Sequence, residues 1–202
     1  MCSVAQTQGQ ESVGHAELSP LVDAGLDASA VLPGDLSSLT ALGDDDWLHV
    51  AMPLDGVEGG IEALSDVLPH LMAPLSLTLL PPESPEVDWD EQWLGLEACL
   101  ELCGSSAGLV MVDELTVRHV CGDEDVDVDE AAADWAAVHG LALIVVGGAD
   151  RASAVKPDGR VEFVTVDADR TLTGMNGSVG FLSGYLTDPS DLPRALQRMS
   201  VV

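Results

Sequence analysis

Short apolar runs recur at a regular interval through the middle of the chain. Each holds five or six residues and contains no acidic residue. They are WLHVAM at 47–52, LSLTLL at 75–80, GLVMV at 108–112 and LALIVV at 141–146, and their starts are 28, 33 and 33 residues apart. Short runs without polar alternation are typical of β-strands that are covered on both faces. We therefore expect four central strands.

The segments between these runs carry apolar residues at helical spacing. Each stripe returns every three or four residues, which places its members on one face of a helix. The stripes are Val57, Ile61, Leu64 and Leu68; then Trp89, Trp93, Leu96, Leu100 and Cys103; then Val128, Ala132, Trp135 and Val138. Strand followed by helix, three times in succession, predicts βαβ units. The expected fold is α/β, with a mainly parallel or mixed sheet of about five to seven strands and helices packed on it.

This alternation of strand and helix ends in the second half of the chain. TVRHVC at 116–121 alternates apolar and polar residues, so we expect a strand in a hairpin with its predecessor. Another hairpin is expected at 153–166, around the turn residues Pro157-Asp158-Gly159. The glycine-rich stretch 174–184 favours a connection or an irregular strand. Residues 188–199 favour a short C-terminal helix that Ser190 or Asp191 caps.

The pattern also suggests how the chain divides. Residues 1–17 are polar and without periodicity, so we expect a disordered N-terminal arm. Residues 18–42 hold short apolar stretches broken by proline and glycine, which suits a peripheral segment. The rest, 43–202, has the length of a single α/β domain.

Charge changes the functional interpretation. The chain has 35 acidic residues against 7 lysines and arginines, a formal net charge of −28. No lysine or arginine precedes position 118, and 21 of the acids lie there. Such a field repels nucleic acid and anionic membranes and attracts cationic surfaces. The leading interpretation is a non-enzymatic binding protein (an inhibitor, an immunity-type protein, a chaperone or a nucleic-acid mimic) that engages a basic protein, nucleic-acid-binding proteins included.

The acids expected to meet that basic partner fall into three local groups. They are Asp44, Asp45, Asp46, Glu83, Glu86, Asp88, Asp90, Asp123, Glu124, Asp125 and Asp127. A further interpretation stays open, in which the acidity is an adaptation to high salt and carries no information about function.

A second set of acids, which shares Glu83 with the first, follows the ends of the predicted strands. It consists of Asp55, Glu83, Asp113, Glu114 and Asp150. The carboxyl ends of parallel strands meet at one edge of a sheet, where ligands bind in open α/β folds. Carboxylates there suit Mg²⁺, Mn²⁺ or Ca²⁺, so the alternative function is a metal-dependent enzyme. About one residue in six is acidic, however, so chance gives the same pattern.

Cysteine and histidine offer a second candidate metal site. Cys99 and Cys103 are four residues apart on a predicted helix, and His119 and Cys121 are two apart on a predicted strand. The four could form a Cys₃His zinc site. Their spacing matches no standard zinc pattern, and Cys103 belongs to the apolar stripe of its helix. We therefore favour a role for these thiols in the core.

The most acidic run, GDEDVDVDE at 122–130, resembles a calcium loop only at its start. Asp125, Asp127 and Asp129 fit the first three ligand positions, but Glu130 stands where an EF-hand needs glycine. We interpret the run as a loop that begins a helix, with Asp129 as its cap. Capping uses one acid, which leaves the other acids of the run for a partner.

Other catalytic patterns are weak. The chain has neither a GxxxxGK[ST] phosphate loop nor a GxSxG nucleophile elbow. The glycines at 174, 177, 180 and 184 open no predicted helix, so we interpret them as positions of backbone freedom. No cofactor is predicted beyond a divalent cation in the alternative function.

The chain also lacks the signals of export. Its first residues, MCSVAQTQGQ, contain no apolar secretory segment, and the window 68–82 is too short and proline-rich to span a bilayer. Cytoplasmic location and four free thiols are therefore expected. The oligomeric state stays open.

Overall fold

A computed structural model describes most of the chain. The described residues are 2–6, 20–31, 39, 42–54, 61–62, 64–65, 68–81, 89–165 and 175–199. The segments 55–60 and 82–88 lie outside them, so of the first predicted stripe Ile61, Leu64 and Leu68 are described and Val57 is not.

One eight-stranded mixed sheet organises these residues. Its strands are β1 (Cys2–Gln6), β2 (Ala28–Val31), β3 (Trp47–Pro53), β4 (Leu75–Leu80), β5 (Leu109–Asp113), β6 (Leu143–Gly147), β7 (Arg151–Val155) and β8 (Val161–Thr165). They lie side by side in the order β2-β1-β3-β4-β5-β6-β7-β8. Pairs from β2 to β6 are parallel, whereas β7 is antiparallel to both neighbours. The predicted α/β fold and the hairpin of β7 and β8 are confirmed.

Within the described ranges, five helices whose full bounds are described pack on the sheet. They are α1 (Trp89–Gly104), α2 (Glu114–Cys121), α3 (Val128–His139), α4 (Met175–Tyr185) and α5 (Leu192–Arg198). One buried cluster joins α1, α2 and α3 to one face of the sheet, and a second joins α4 and α5 to the other face. The central strands are buried along almost their whole length because both faces are covered. This is why their sequences read as continuous apolar runs.

The predicted strand at 116–121 is wrong, because α2 occupies this segment. Asp113 caps the helix by accepting a hydrogen bond from the Thr116 backbone N–H. Gly122 ends it with a left-handed φ of 65°, and its N–H bonds the last carbonyls. Two local end signals therefore outweigh an alternation that spans only six residues.

The predicted connection or irregular strand at 174–184 is also wrong. Residues 175–185 form α4, and two of its glycines, Gly180 and Gly184, pack closely against the C-terminal segment that holds α5. A Cβ on Gly180 would lie 2.4 Å from the Arg198 carbonyl oxygen, and one on Gly184 would lie 2.6 Å from the Ala195 Cα. Glycine is thus tolerated inside this helix because a second backbone approaches it.

The N-terminal region differs from the expectation as well. Residues 2–6, predicted as part of a disordered arm, form β1 between β2 and β3. With β1 and β2, the sheet has eight strands, which is more than the predicted five to seven. The assignment of 43–202 as one domain stays a prediction. None of the helices in the described ranges combines the length and apolarity that crossing a bilayer requires.

Candidate functional site

Ligand sites of open α/β sheets lie at the carboxyl ends of the parallel strands. At the end of β5, Asp113 is buried and both of its carboxylate oxygens accept hydrogen bonds from Thr116, at 2.9 Å from the backbone N and 2.5 Å from Oγ1. This carboxylate therefore holds the start of α2.

Next to it, Glu114 forms a paired contact with an arginine one turn along α2. Arg118 donates to Glu114 Oε1 from Nε at 3.0 Å and from Nη2 at 2.6 Å. The carboxylate lies against the turn that joins β6 to β7, where a Cβ on Gly148 would be 2.4 Å from Glu114 Oε2. Gly148 thus makes room for Glu114, which is a packing reason for glycine at the position that follows β6.

The same arginine holds the acidic run. Arg118 Nη1 donates to the backbone carbonyls of Glu124 at 2.5 Å and Val126 at 3.2 Å. Asp123 accepts from the Asp125 N–H at 2.8 Å, which closes a turn within the run. Asp127 accepts from the first backbone N–H groups of α3 and is its cap, so the predicted cap at Asp129 is wrong by two residues.

Asp129 has a different task. It forms an ion pair with Arg151, and its other oxygen accepts from Ser153 Oγ at 2.7 Å. Both partners stand on β7, so this carboxylate fastens the start of α3 to the sheet. Contacts within the chain therefore account for several acids of the run. Arg118 binds its backbone carbonyls, and Arg151 pairs with Asp129.

A pocket of about 230 Å³ opens between these groups. Its polar lining comes from α2, from the start of α3 and from β7. The residues are Glu114, Arg118, Asp127, Asp129, Arg151 and Ser153. Each arginine in it already pairs with a carboxylate, so the pocket lining is polar and largely self-neutralised.

The start of α4 lies over the carboxyl half of β4, on the other face of the sheet. Thr78 of β4 donates to Ser178 Oγ of the first helical turn at 2.6 Å, and both residues are buried. No charged residue occurs in α4, in a chain that is otherwise strongly acidic. The first backbone N–H groups of a helix have no partner within it, and they form the positive end of its dipole.

Behind Thr78, a row of buried polar groups crosses the sheet. His49 contacts Thr78 Oγ1 through Nε2 at 3.2 Å and Ser76 Oγ through Nδ1 at 2.8 Å. Trp47 Nε1 donates to the same Ser76 oxygen at 2.8 Å. His49 is 0% exposed, and this burial lowers its pKa from 6.5 to about 3. The imidazole is therefore neutral at physiological pH.

Of the five strand-end acids predicted as metal ligands, three are described. Asp113 and Glu114 are engaged in the contacts given above, Asp150 is exposed, and Asp55 and Glu83 lie outside the described residues. Among residues with described positions, no three His, Cys, Asp or Glu side chains lie together so that they could hold a metal ion. The described residues therefore form no site in which protein side chains alone would coordinate a metal ion.

The candidate Cys₃His site is not assembled. Cys99 and Cys103 point into the core from α1, where burial raises the pKa of Cys99 to about 12 and that of Cys103 above its usual range. His119 and Cys121 are exposed on α2. Residues two apart on a helix point to different sides, so replacing the expected strand by a helix separates this pair.

The acids predicted to meet a basic partner are only partly described. Asp44 and Asp45 are exposed near the start of β3, and Asp46 accepts from the Gly43 N–H at 2.8 Å. Glu83, Glu86 and Asp88 lie outside the described residues, and so does the side chain of Asp90. On α3 and its approach, Glu124 and Asp125 are exposed carboxylates.

The fold of this chain is similar to that of several solved structures. No family model matches the chain, and no curated protein matches it. A Bacillus subtilis pyridoxal kinase, solved as an ADP complex, has 13% identity and a TM-score of 0.65, with 98% of this chain and 88% of that chain covered. A Clostridium difficile phosphomethylpyrimidine kinase has 10% identity and a TM-score of 0.64, with 99% and 95% covered. A pyrophosphate-dependent myo-inositol-1 kinase has 14% identity and a TM-score of 0.61, with 100% and 91% covered.

These neighbours correct the leading functional interpretation. The prediction of a non-enzymatic inhibitor or binding protein for a basic partner is wrong. The solved structures that share the fold over nearly the whole chain are kinases of small molecules. The alternative of an enzyme fits them better, and a divalent cation is compatible with it. At this level of identity the likeness establishes architecture alone. The chain has the α/β fold of the ribokinase-type kinases.

Proposed function

We propose that this protein binds a phosphate-bearing donor at the carboxyl edge of its sheet and transfers a phosphoryl group to a small-molecule acceptor. The observation that carries the proposal is the first turn of α4, which lies over the carboxyl half of β4 in a fold shared with kinases. Open α/β sheets bind ligands at this edge, and helix N-termini bind phosphate.

The charge pattern of the helices supports this assignment. The first turn of α2 carries Glu114, and that of α3 carries Asp129 and Glu130, so acidic side chains of the chain already occupy those positive helix ends. The first turn of α4 has no acidic residue. A phosphate supplied by a ligand is the anion that this turn would accept.

The donor belongs to one of two chemical classes, nucleoside triphosphate or pyrophosphate. Structural neighbours include a kinase seen with ADP and a pyrophosphate-dependent kinase. The net charge of −28 opposes any free polyphosphate, so we expect the donor to bind as its Mg²⁺ complex. Mg²⁺ commonly takes substrate phosphates and only one or two carboxylates, so the cation can arrive with the donor.

The experiment combines a binding assay with a transfer assay. Mg²⁺–ATP and Mg²⁺–pyrophosphate are titrated calorimetrically, and ³¹P NMR then follows donor consumption with pooled small alcohols, sugars and vitamin-like acceptors. We expect saturable binding of one donor class and a new phosphate ester with one acceptor pool. Donor consumption that yields only inorganic phosphate, or no binding of either complex at millimolar concentration, would overturn the proposal.

A single charge change locates the binding site. Asn176, the only asparagine of the chain, belongs to the first turn of α4. Asn176→Asp adds a negative charge there with little change of shape, so it should weaken donor binding about tenfold through repulsion while leaving the helix as stable or more stable. Ala142→Asp adds the same charge at the opposite edge of the sheet, at an exposed position, and should leave affinity unchanged. Equal effects of the two variants would place the donor elsewhere.

A further inference from the structure

The contact between Thr78 and Ser178 joins the sheet to the part of α4 that the proposed function uses. It is a 2.6 Å hydrogen bond between two hydroxyls, each of them at most 3% exposed. Beyond the first turn, α4 packs through apolar residues, through glycines that face α5, and through one hydrogen bond from Arg198 to Ser183. A hydrogen bond has a direction and a length, whereas apolar packing tolerates sliding. This contact therefore fixes the first turn in a way that the apolar contacts do not.

A row of buried polar contacts lies behind this hydrogen bond. Because Thr78 donates its single hydroxyl hydrogen to Ser178, it accepts from His49 Nε2. Ser76 Oγ accepts from Trp47 Nε1, and its own hydrogen has two acceptors within reach, His49 Nδ1 at 2.8 Å and the Leu48 carbonyl oxygen at 3.4 Å. The row therefore connects Trp47, Ser76, His49 and Thr78 to the first turn of α4.

We propose that His49 and Thr78 are positioning residues, which hold the first turn of α4 where its backbone N–H groups meet the phosphate of the donor. The inference rests on the proposed function for its last step, phosphate binding. Its first step, the fixing of the turn, concerns the protein without any ligand. Displacing oriented donors by a fraction of an ångström weakens phosphate binding even when no contacting group is removed.

Two substitutions at one position separate the hydroxyl from the shape of the side chain. Thr78→Val keeps the branched shape and removes the hydroxyl, whereas Thr78→Ser keeps the hydroxyl and removes a methyl group. Ser183→Ala is the matched control in the same helix, because Ser183 is buried and bonds the Gly180 carbonyl and Arg198 instead. The full chain is used throughout, with amide hydrogen exchange of residues 177–179, donor affinity, and the ratio of kcat to donor KM as readouts.

We expect Thr78→Val to speed exchange of the α4 first turn about tenfold and to raise the donor KM about tenfold, with Thr78→Ser close to the unchanged protein. Ser183→Ala should lower the melting temperature without selective exchange at 177–179. The proposal is overturned if Thr78→Val and Ser183→Ala give the same pattern, or if Thr78→Ser fails to restore the first turn. It is also overturned if the ¹⁵N shifts of His49 report a hydrogen on Nδ1.

These outcomes distinguish the two proposals from each other. A wild-type chain that binds neither Mg²⁺–ATP nor Mg²⁺–pyrophosphate would overturn the proposed function and the phosphate step, and exchange would then decide the structural step alone. Normal donor binding that is indifferent to Thr78→Val would overturn the positioning role and leave the proposed function standing.

Discussion

Burial of His49 predicts a specific dependence of stability on pH. Its pKa is about 3 in the folded chain because burial penalises the charged ring, against 6.5 when the ring is solvated. Since the folded pKa is the lower one, the unfolded chain takes up the proton first as pH falls. The contribution is therefore complete above about pH 6.5 and is lost as the pH falls towards 3.

The size of this effect follows from the two pKa values. A difference of about 3.5 pH units, at about 1.36 kcal/mol per unit, gives an upper limit of about 5 kcal/mol. Between pH 6.5 and pH 5 the loss is about 2 kcal/mol, with a slope of about 1.4 kcal/mol per pH unit. That is a large share of the stability of an ordinary domain.

The assay compares the unchanged protein with His49→Gln. Gln does not titrate, and the many carboxylates are common to both chains, so their contribution cancels in the difference. Urea unfolding at pH 7, 6, 5 and 4 gives the free energy of unfolding for each. We expect His49→Gln to be the less stable at pH 7 and the gap to close by about 1.4 kcal/mol per unit below pH 6.5. Parallel pH profiles of the two proteins would refute the reasoning, because they would mean that His49 gains its proton without opening the core.

Three further predictions concern the described contacts. Asp129→Ala should lower the free energy of unfolding by about 1–3 kcal/mol, because it leaves Arg151 without its carboxylate, whereas Asp125→Ala, at an exposed position, should change it by less than about 0.5 kcal/mol in the same urea assay. Gly180→Ala should lower the melting temperature rather than raise it as in an ordinary helix, because the added methyl group meets the α5 backbone; an unchanged melting temperature would contradict that packing. Cys121→Ser should remove one equivalent of fast reaction with a thiol reagent, because the exposed α2 thiol reacts before unfolding and the two buried α1 thiols do not; an undiminished fast phase would show otherwise.

The central strands were predictable because helices cover both faces of the sheet, so that few positions in these strands are exposed to solvent. Residues 47–52 and 141–146 read as apolar runs for this reason, and β3 and β6 lie there within two residues at either end. The α2 segment was mistaken because its alternation is short, while its true signals are an Asp before it and a Gly after it. These signals could have been found, since an N-cap at Asp113 and a C-terminal Gly122 are local features.

The start of α4 was not predictable by the same means. Its glycines look like loop residues until a neighbouring helix is present, and α5 is separated from Gly180 by about ten residues of sequence. The row from Trp47 to Ser178 joins residues that are 100 positions apart at its last step. Spacing rules on one helix or strand cannot bring such residues together.

The acidity of the chain misled the functional interpretation for a related reason. Net charge reports on association and solubility, and not on fold or chemistry. Within the most acidic run, Asp127 and Asp129 cap and fasten α3, and Asp123 closes a turn. These carboxylates therefore have structural roles within the chain that the sequence alone did not reveal.

The most direct measurement is a backbone amide titration of ¹⁵N-labelled protein with Mg²⁺–ATP and with Mg²⁺–pyrophosphate at moderate salt. The account predicts saturable shifts for one donor that are largest at Gly177, Ser178 and Val179, and that strengthen as salt screens the acidic surface. Shifts that are absent at millimolar donor, or that fall away from the first turn of α4, would contradict it.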